Sequence, residues 1–112
     1  MKKKNLLVIV PTFNESENIT SFINLILKKD LDLLIVDDNS PDNTGIIVNE
    51  LMKEYNNLYQ ISRKQKLGLG SAYKEGFKWA INNDYSHIVT MDADFSHRFV
   101  DLDKLILKIN DT

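Results

Sequence analysis

Short apolar runs alternate with amphipathic segments along almost the whole chain, and this alternation restricts the folds that the chain can adopt. Continuous apolar runs at residues 6–10 and 33–36 are typical of strands that are buried on both faces. Shorter runs at residues 58–62 and 87–91 predict two more strands. Four strands separated by helical segments indicate an α/β protein with a parallel sheet.

Between and after these runs, apolar residues recur at helical spacing. The first segment shows it most clearly, with positions i, i+3, i+4, i+7 and i+8 occupied by Ile19, Phe22, Ile23, Ile26 and Leu27. Similar patterns predict helices near residues 44–55, 72–80 and 102–109. The predicted order is β-α-β-α-β-α-β-α, an open and mostly parallel sheet with helices on both faces. Because so small a sheet leaves an exposed edge, we expect a homo-oligomer or a partner chain.

Composition narrows the classes of function. A length of 112 residues allows one domain, and a formal charge of −2 gives no support for nucleic-acid binding. The chain has no cysteine, which excludes disulfides and thiolate metal sites. The apolar run at residues 6–10 is too short for a signal-peptide core or a membrane span. We therefore expect a cytoplasmic chain that could still contact a membrane surface.

Two carboxylates, Asp92 and Asp94, follow the fourth predicted strand. In an extended chain alternate side chains point the same way, so both can aim at one point. Two hard oxygen ligands at a strand end suit Mg or Mn, which can also hold a diphosphate. Aspartate is also common in turns and at helix N-caps, so this spacing alone leaves both interpretations open.

Polar or acidic clusters follow three of the predicted strands. Residues 11–15 follow the first strand, Asp37 and Asp38 follow the second, and residues 92–94 follow the fourth. In open parallel sheets, ligands bind at the carboxyl ends of strands, near the point where strand order reverses. If the fourth strand pairs with the first, opposite the second, all three clusters line one crevice. Taken alone, Asp37 and Asp38 are equally consistent with a solvated turn that caps the next helix.

Four segments span nearly the whole chain: residues 10–15 (VPTFNE), 36–42 (VDDNSPD), 66–73 (KLGLGSAY) and 91–97 (MDADFSH). Together, and in this order, they resemble the dolichol-phosphate mannosyltransferase group of family two glycosyltransferases. The resemblance implies a fold of the nucleotide-diphospho-sugar transferase (glycosyltransferase A) type. Residues 1–112 would then be the nucleotide-sugar-binding part of a truncated glycosyltransferase domain.

The resemblance also implies which residues bind the nucleotide sugar. Pro11, Phe13 and Glu15 would contact the nucleotide, while Val36 and Asp38 would frame its base and ribose.

By the same similarity, Asp92 and Asp94 would be the catalytic residues and would hold Mg or Mn against the diphosphate. Ala93 would supply a backbone contact, and Ser96 would complete the metal site. The metal would neutralise the charge that grows on the leaving nucleoside diphosphate.

The implied reaction is the metal-dependent, inverting transfer of a hexose to a polyprenyl or dolichyl phosphate at the cytoplasmic face of a membrane. GDP-mannose is the favoured donor and mannose the favoured sugar, but a UDP-sugar remains an alternative donor. The acceptor phosphate is already anionic, so the reaction needs no strong general base.

The chain departs from the family pattern at several positions. Phe13 stands where tyrosine is usual, Asn43 replaces a glycine, and Phe99 replaces a proline. The family's later half, which carries basic residues for the acceptor phosphate, has no counterpart within these residues. Complete transfer would then require a partner or a further segment that supplies that half.

Two alternative functions and the role of one basic loop stay open. One function is that of a non-catalytic or split-enzyme fragment that binds a nucleotide sugar. Another is a receiver-type signalling domain with Asp92 as phospho-acceptor, although its acidic pair should follow the first strand rather than the second. The basic loop contains Arg63, Lys64 and Lys66, which either steer a diphosphate toward the crevice or are simply solvated.

Overall fold

The computed structural model describes residues 6–93, and these form a three-layer α/β unit. Four parallel strands alternate with three helices: β1 (Leu6–Thr12), α1 (Ile19–Leu27), β2 (Asp32–Asp37), α2 (Thr44–Leu51), β3 (Leu58–Ser62), α3 (Leu69–Asn82) and β4 (His87–Thr90). Every predicted element within this range is confirmed. The predicted fourth helix, together with Asp94, Ser96 and Phe99, lies outside the described residues.

The strands are ordered β3-β2-β1-β4, so β1 pairs with β2 on one side and with β4 on the other. Ile9 lies between Leu34 and Thr90 in this register. The arrangement confirms the condition for a shared crevice, because the chain runs outward from β1 to β3 and then returns to the far side of β1. The point where strand order reverses therefore lies between β1 and β4.

The two faces of the sheet are covered differently. On one face, α1 and α2 pack over the side chains of Leu6, Val8 and Val10 in the larger core cluster. On the other face, α3 packs over Leu7 and Ile9. This alternation follows from the strand period of two, and it explains why the apolar runs of β1 and β2 are continuous.

The helix α3 approaches the sheet closely because its inner face is made of small residues. Ala72, Gly76 and Ala80 are buried there. A Cβ atom added at Gly76 would lie 2.8 Å from Cγ2 of Ile9, which leaves no room for any side chain at this position.

Some boundaries differ from the sequence prediction. Strand β1 continues to Thr12, past Pro11, because Pro11 still pairs in register with Val36. Strand β4 ends at Thr90, although the backbone N–H of Met91 still donates to Ile9 O at 3.1 Å. Among residues 6–93, no helix combines the length and the apolar character needed to cross a bilayer.

Candidate functional site at the carboxyl edge of the sheet

The carboxyl ends of β1, β2 and β4 meet at one edge of the sheet, and three of the predicted site residues, Pro11, Phe13 and Asp38, lie together there. A cavity of about 150 Å³ at this edge is lined by Pro11, Phe13, Asp38 and Lys66, among others. The ammonium group of Lys66 lies 4.1 Å from the centre of the Phe13 ring. A cation over an aromatic face is a favourable contact, and it holds the lysine at the mouth of the cavity.

The carboxylate of Asp38 is one wall of this cavity and is almost fully buried. It accepts hydrogen bonds from the backbone N–H groups of Leu67 at 3.2 Å and Gly68 at 3.0 Å. Nε of Arg63 lies 3.0 Å from Oδ1 of Asp38. Asp38 therefore fixes the loop between β3 and α3, and this loop forms the opposite wall of the cavity.

Arg63 differs from the solvated loop residue that the sequence suggested. It is 6% exposed, and its guanidinium donates to Ser71 Oγ at 2.8 Å and lies 3.6 Å from the Glu75 carboxylate. Lys64 and Lys66 are exposed, as expected for this loop. No signal in the sequence separates the three cations, because Asp38, the partner of Arg63, follows a different strand.

Asp37, the neighbour of Asp38, is directed into the protein. It is 2% exposed and accepts hydrogen bonds from the hydroxyl groups of Thr12 and Ser40, both at 2.7 Å, and from the Ser40 backbone N–H at 3.0 Å. The interpretation of Asp37 and Asp38 as a solvated turn is wrong, since both carboxylates are buried and bonded to protein donors.

Side chains from the loop between β2 and α2 hold the loop that follows β1. Three consecutive backbone N–H groups, from residues 14, 15 and 16, donate at 3.0 Å to Ser40 Oγ, Thr44 Oγ1 and Asp42 Oδ2 respectively. These contacts, called the loop clamp below, position Phe13 and Glu15. No local pattern in the sequence predicts these contacts, because their partners lie 26 to 29 residues apart along the chain.

Hydrogen bonds in and next to the loop clamp change the pKa of Asp42. Burial acts to raise the pKa of Asp42, but hydrogen bonds from Thr44 and Ser16 outweigh burial and lower the pKa to about 2. The Thr44 hydroxyl also donates to Asp42. Asn43, next to it, adopts left-handed backbone with φ of 72°, which asparagine tolerates well and which explains how it can stand where the family has glycine.

Asp92 is half-buried and follows β4 at the same edge. The charge of Asp92, second to burial, raises the pKa of the Tyr73 phenol, while a hydrogen bond with Thr90 opposes the shift. These effects place the Asp92 carboxylate near α3 and the carboxyl end of β4. Residues 6–93 contain no group of three or more His, Cys, Asp or Glu that could hold a metal.

The remaining predicted site residues have separate positions. Glu15 lines a second, wider cavity of about 570 Å³ together with Ser16, Glu17 and Asp42. The side chain of Val36 is fully buried in the core beneath α3, and Ala93 is buried in the core on the opposite face. The structure thus brings Pro11, Phe13 and Asp38 together.

Comparison with known proteins gives a consistent picture. The family described as glycosyl transferase family 2 matches residues 7–112. A polyprenol monophosphomannose synthase of Mycolicibacterium smegmatis is 40% identical over 103 residues, which cover 89% of this chain and 39% of that protein. An undecaprenyl-phosphate mannosyltransferase of Micrococcus luteus is 37% identical over 103 residues, covering 90% and 42% respectively.

Among solved structures, the mannosyltransferase PcManGT from Pyrobaculum calidifontis, in complex with GDP-Man and Mn2+, matches with a TM-score of 0.68. The match has 23% sequence identity and covers 80% of this chain and 27% of that one. At this identity the likeness establishes the fold, which is the predicted glycosyltransferase A type. The chain spans about two fifths of the length of the two curated relatives named above.

Proposed function

Because this chain belongs to glycosyl transferase family 2, we propose that it forms the donor-binding part of a hexosyltransferase. The donor is a nucleotide diphosphate sugar, with GDP-mannose favoured, and the acceptor is a polyprenyl phosphate. Two relatives are named for mannosyl transfer to polyprenyl acceptors, and the solved neighbour contains GDP-Man. The observation that carries the proposal is the cavity lined by Pro11, Phe13, Asp38 and Lys66 at the carboxyl edge of the sheet.

The cavity has the chemistry that a nucleotide requires. Phe13 offers an aromatic face for a base, and Asp38 offers a carboxylate beside it. Lys66 stands at the mouth with a positive charge that attracts phosphate groups. In this proposal Pro11, Phe13 and Asp38 bind the nucleoside, while Glu15, Val36 and Ala93 contribute through the segments that frame it.

The residues at the end of β4 fit a hard divalent cation. Asp92 supplies a carboxylate whose charge is felt by the neighbouring phenol of Tyr73. Oxygen ligands of this kind suit Mg or Mn. We assign Asp92, Asp94 and Ser96 to the metal, which would neutralise charge on the leaving nucleoside diphosphate. Lys66, exposed at the same edge, would support that neutralisation from the opposite wall.

Transfer to a polyprenyl phosphate would invert the anomeric carbon, because the acceptor attacks from the face opposite the leaving diphosphate. A phosphate monoester is already anionic near neutral pH, so this chain need not supply a strong general base. The acceptor lies in a membrane, and we propose that the protein is cytoplasmic and works at the cytoplasmic face of that membrane.

A second candidate function is donor binding without transfer by this chain alone. It is favoured by the share of its relatives' length that the chain spans, 39% in one case and 42% in the other. A partner chain or a further segment would then supply the acceptor side.

Titration calorimetry with GDP-mannose and UDP-glucose, each with and without Mn, tests donor binding. We expect GDP-mannose to bind more tightly when Mn is present, and Asp94→Ala to abolish that gain while leaving thermal stability nearly unchanged. Asp84→Asn is the matched control, because Asp84 is exposed with φ of 65° and asparagine accepts left-handed backbone. Absence of binding for both donors in all conditions would contradict the proposal.

Two further measurements separate the candidate functions. Mannose transfer to a polyprenyl phosphate by this chain alone would support complete catalysis, whereas donor binding without turnover would support the second candidate. Uptake of acetyl phosphate at Asp92 would instead indicate a receiver domain, which family membership disfavours.

A further inference from the structure

Residues 63–81 are basic within a chain whose formal charge is −2. They contain five cationic residues and a single carboxylate, Glu75. Arg63 is buried against Asp38, but Lys64, Lys66, Lys74 and Lys78 are all exposed. The positive charge of this stretch is therefore available to an external partner.

The same stretch exposes large apolar side chains. Leu67 is 54% exposed, Leu69 57%, Phe77 40% and Ile81 68%. Within residues 6–93, the other large apolar side chains left exposed are Leu25 and Ile46, on α1 and α2. Exposed apolar surface that gathers in one segment indicates an interaction site more strongly than isolated residues do.

On α3, these two kinds of side chain share one face. Lys74, Phe77, Lys78 and Ile81 follow one another at i, i+3, i+4 and i+7, so they are neighbours on the helix surface. They lie opposite the small residues that pack on the sheet. We call these four residues the outer face of α3. Beside it lies an open cleft of about 610 Å³ lined by Ser71, Lys74, Glu75 and Lys78, which has room for a polar headgroup.

We propose that the outer face of α3 docks the protein on an anionic membrane surface. The positive charge complements anionic phospholipids, and each lysine near such a surface contributes about 1 kcal/mol to binding. Phe77 and Ile81 can enter the boundary between headgroups and acyl chains, while the lysine stems extend along it. A protein partner fits this face less well, because lysine is depleted from the buried centres of protein interfaces.

Docking through α3 would also position the candidate site, because α3 adjoins the nucleotide cavity. The helix begins immediately after the loop that forms one wall of the nucleotide cavity, and Lys66 and Leu69 line that cavity. A docked α3 would hold the carboxyl edge of the sheet close to the membrane. The role of docking in delivering a lipid acceptor rests on the proposed function, whereas the docking itself does not.

Co-sedimentation of the full chain with vesicles tests the proposal without any donor or turnover. We expect binding to phosphatidylcholine–phosphatidylglycerol vesicles that weakens as salt is raised, and much weaker binding to pure phosphatidylcholine. K74E/K78E should lower the affinity by at least about 30-fold, since each lysine lost is worth about 5-fold. K28E/K53E makes the same change in net charge on exposed residues of the opposite face and should keep substantially more of the binding.

A fluorescent probe gives a second readout that does not depend on charge reversal. The chain has no cysteine, so Ile81→Cys introduces a single site for an environment-sensitive dye. We expect a blue shift on addition of anionic vesicles. Ile46→Cys is the control, because Ile46 is 61% exposed on α2 and should show no shift.

Several outcomes would overturn the proposal. These are equal binding by K74E/K78E and the unchanged protein, equal binding to charged and neutral vesicles, or equal shifts at the two dye positions. Dimerisation in sedimentation velocity that Ile81→Asn abolishes would assign this face to a second copy of the chain instead. Donor affinity is measured in solution without vesicles, so a failure of docking and a failure of the proposed function remain distinguishable.

Discussion

Two strand ends at the same edge of the sheet carry aspartates, and the protein uses them differently. At the end of β2, Asp37 and Asp38 are 2% and 5% exposed and receive donors from the protein itself. At the end of β4, Asp92 is half-buried. Asp37 therefore has a structural role, Asp38 forms a wall of the nucleotide cavity, and Asp92 is the residue that we assign to the metal.

The difference follows from the neighbouring loops. The loop after β2 returns over its own strand end, so the Ser40 hydroxyl and backbone N–H reach Asp37. The loop after β3 lies beside β2 and brings Arg63 and Gly68 to Asp38. Substitutions at the two strand ends should therefore separate stability from ligand binding.

The largest loss of stability is expected for Asp37→Ala. It would leave the hydroxyl groups of Thr12 and Ser40 and one backbone N–H without their buried acceptor, at a cost of about 3–5 kcal/mol in the free energy of unfolding. Urea denaturation followed by circular dichroism measures this loss. Glu54→Ala, which removes an exposed carboxylate, should change stability by less than about 0.5 kcal/mol. Equal midpoints for the two variants would contradict a structural role for Asp37.

Arg63→Met should have the next largest effect. It leaves the buried Asp38 carboxylate without its cation, and breaking a buried pair from one side costs about 3 kcal/mol. The same denaturation measurement applies, with Lys64→Met as the exposed control in the adjacent position. Because Asp38 also orders the wall of the nucleotide cavity, we expect weaker GDP-mannose binding by Arg63→Met at temperatures where it remains folded.

Asp42→Asn should destabilise the protein by about 1 kcal/mol, because it weakens hydrogen bonds of the loop clamp. The pKa of Asp42 in the folded protein is about 2, below its ordinary value of 3.8, so the ionised form favours folding. Its contribution is present above about pH 4 and is lost as the pH falls through about 2. Thermal melts across this range should show a smaller acid-induced loss of stability in Asp42→Asn than in the unchanged protein. Identical pH profiles would show that protonation of Asp42 does not cause this loss.

Asp92→Asn should have the smallest effect on stability and the clearest effect on binding. We expect a change of less than about 0.5 kcal/mol in the free energy of unfolding, because Asp92 is only half-buried at the edge of the sheet. Mn-dependent GDP-mannose affinity should be lost in calorimetry. Retained Mn dependence would remove Asp92 from the metal site, and a large loss of stability would mean that the two strand ends do not differ as described.

Much of the fold could be predicted because the relevant signals are local. A strand buried on both faces requires a continuous apolar run, and β1 and β2 show one. The amphipathic pattern of α1 is equally direct, and its five apolar positions are all buried. Asn14 and Glu17 have the spacing of a capping box, but they do not cap α1, because α1 begins at Ile19 after Asn18. In the structure, the backbone of Asn14 is left-handed and its N–H donates to the hydroxyl oxygen of Ser40.

The candidate site was predicted only in outline. The sequence placed Pro11, Phe13 and Asp38 at strand ends, and topology alone then brings them to one edge. The burial of Arg63 and the loop clamp were missed, because they depend on pairs separated by 25 or more residues. Arg63 and Asp38 are adjacent only because β2 and β3 pair in register, with Asp37 opposite Ser62.

The amino-acid sequence by itself determined that apolar runs form parallel strands and that their polar ends share one edge, because strand and helix periods are written in neighbouring residues. Only the tertiary structure decided which of those polar groups are buried, as Asp37 and Asp38 are, and which stay partly exposed, as Asp92 is. That outcome depends on where distant loops return, since a carboxylate's surroundings are set by groups within about 3 Å in space rather than by its neighbours along the chain.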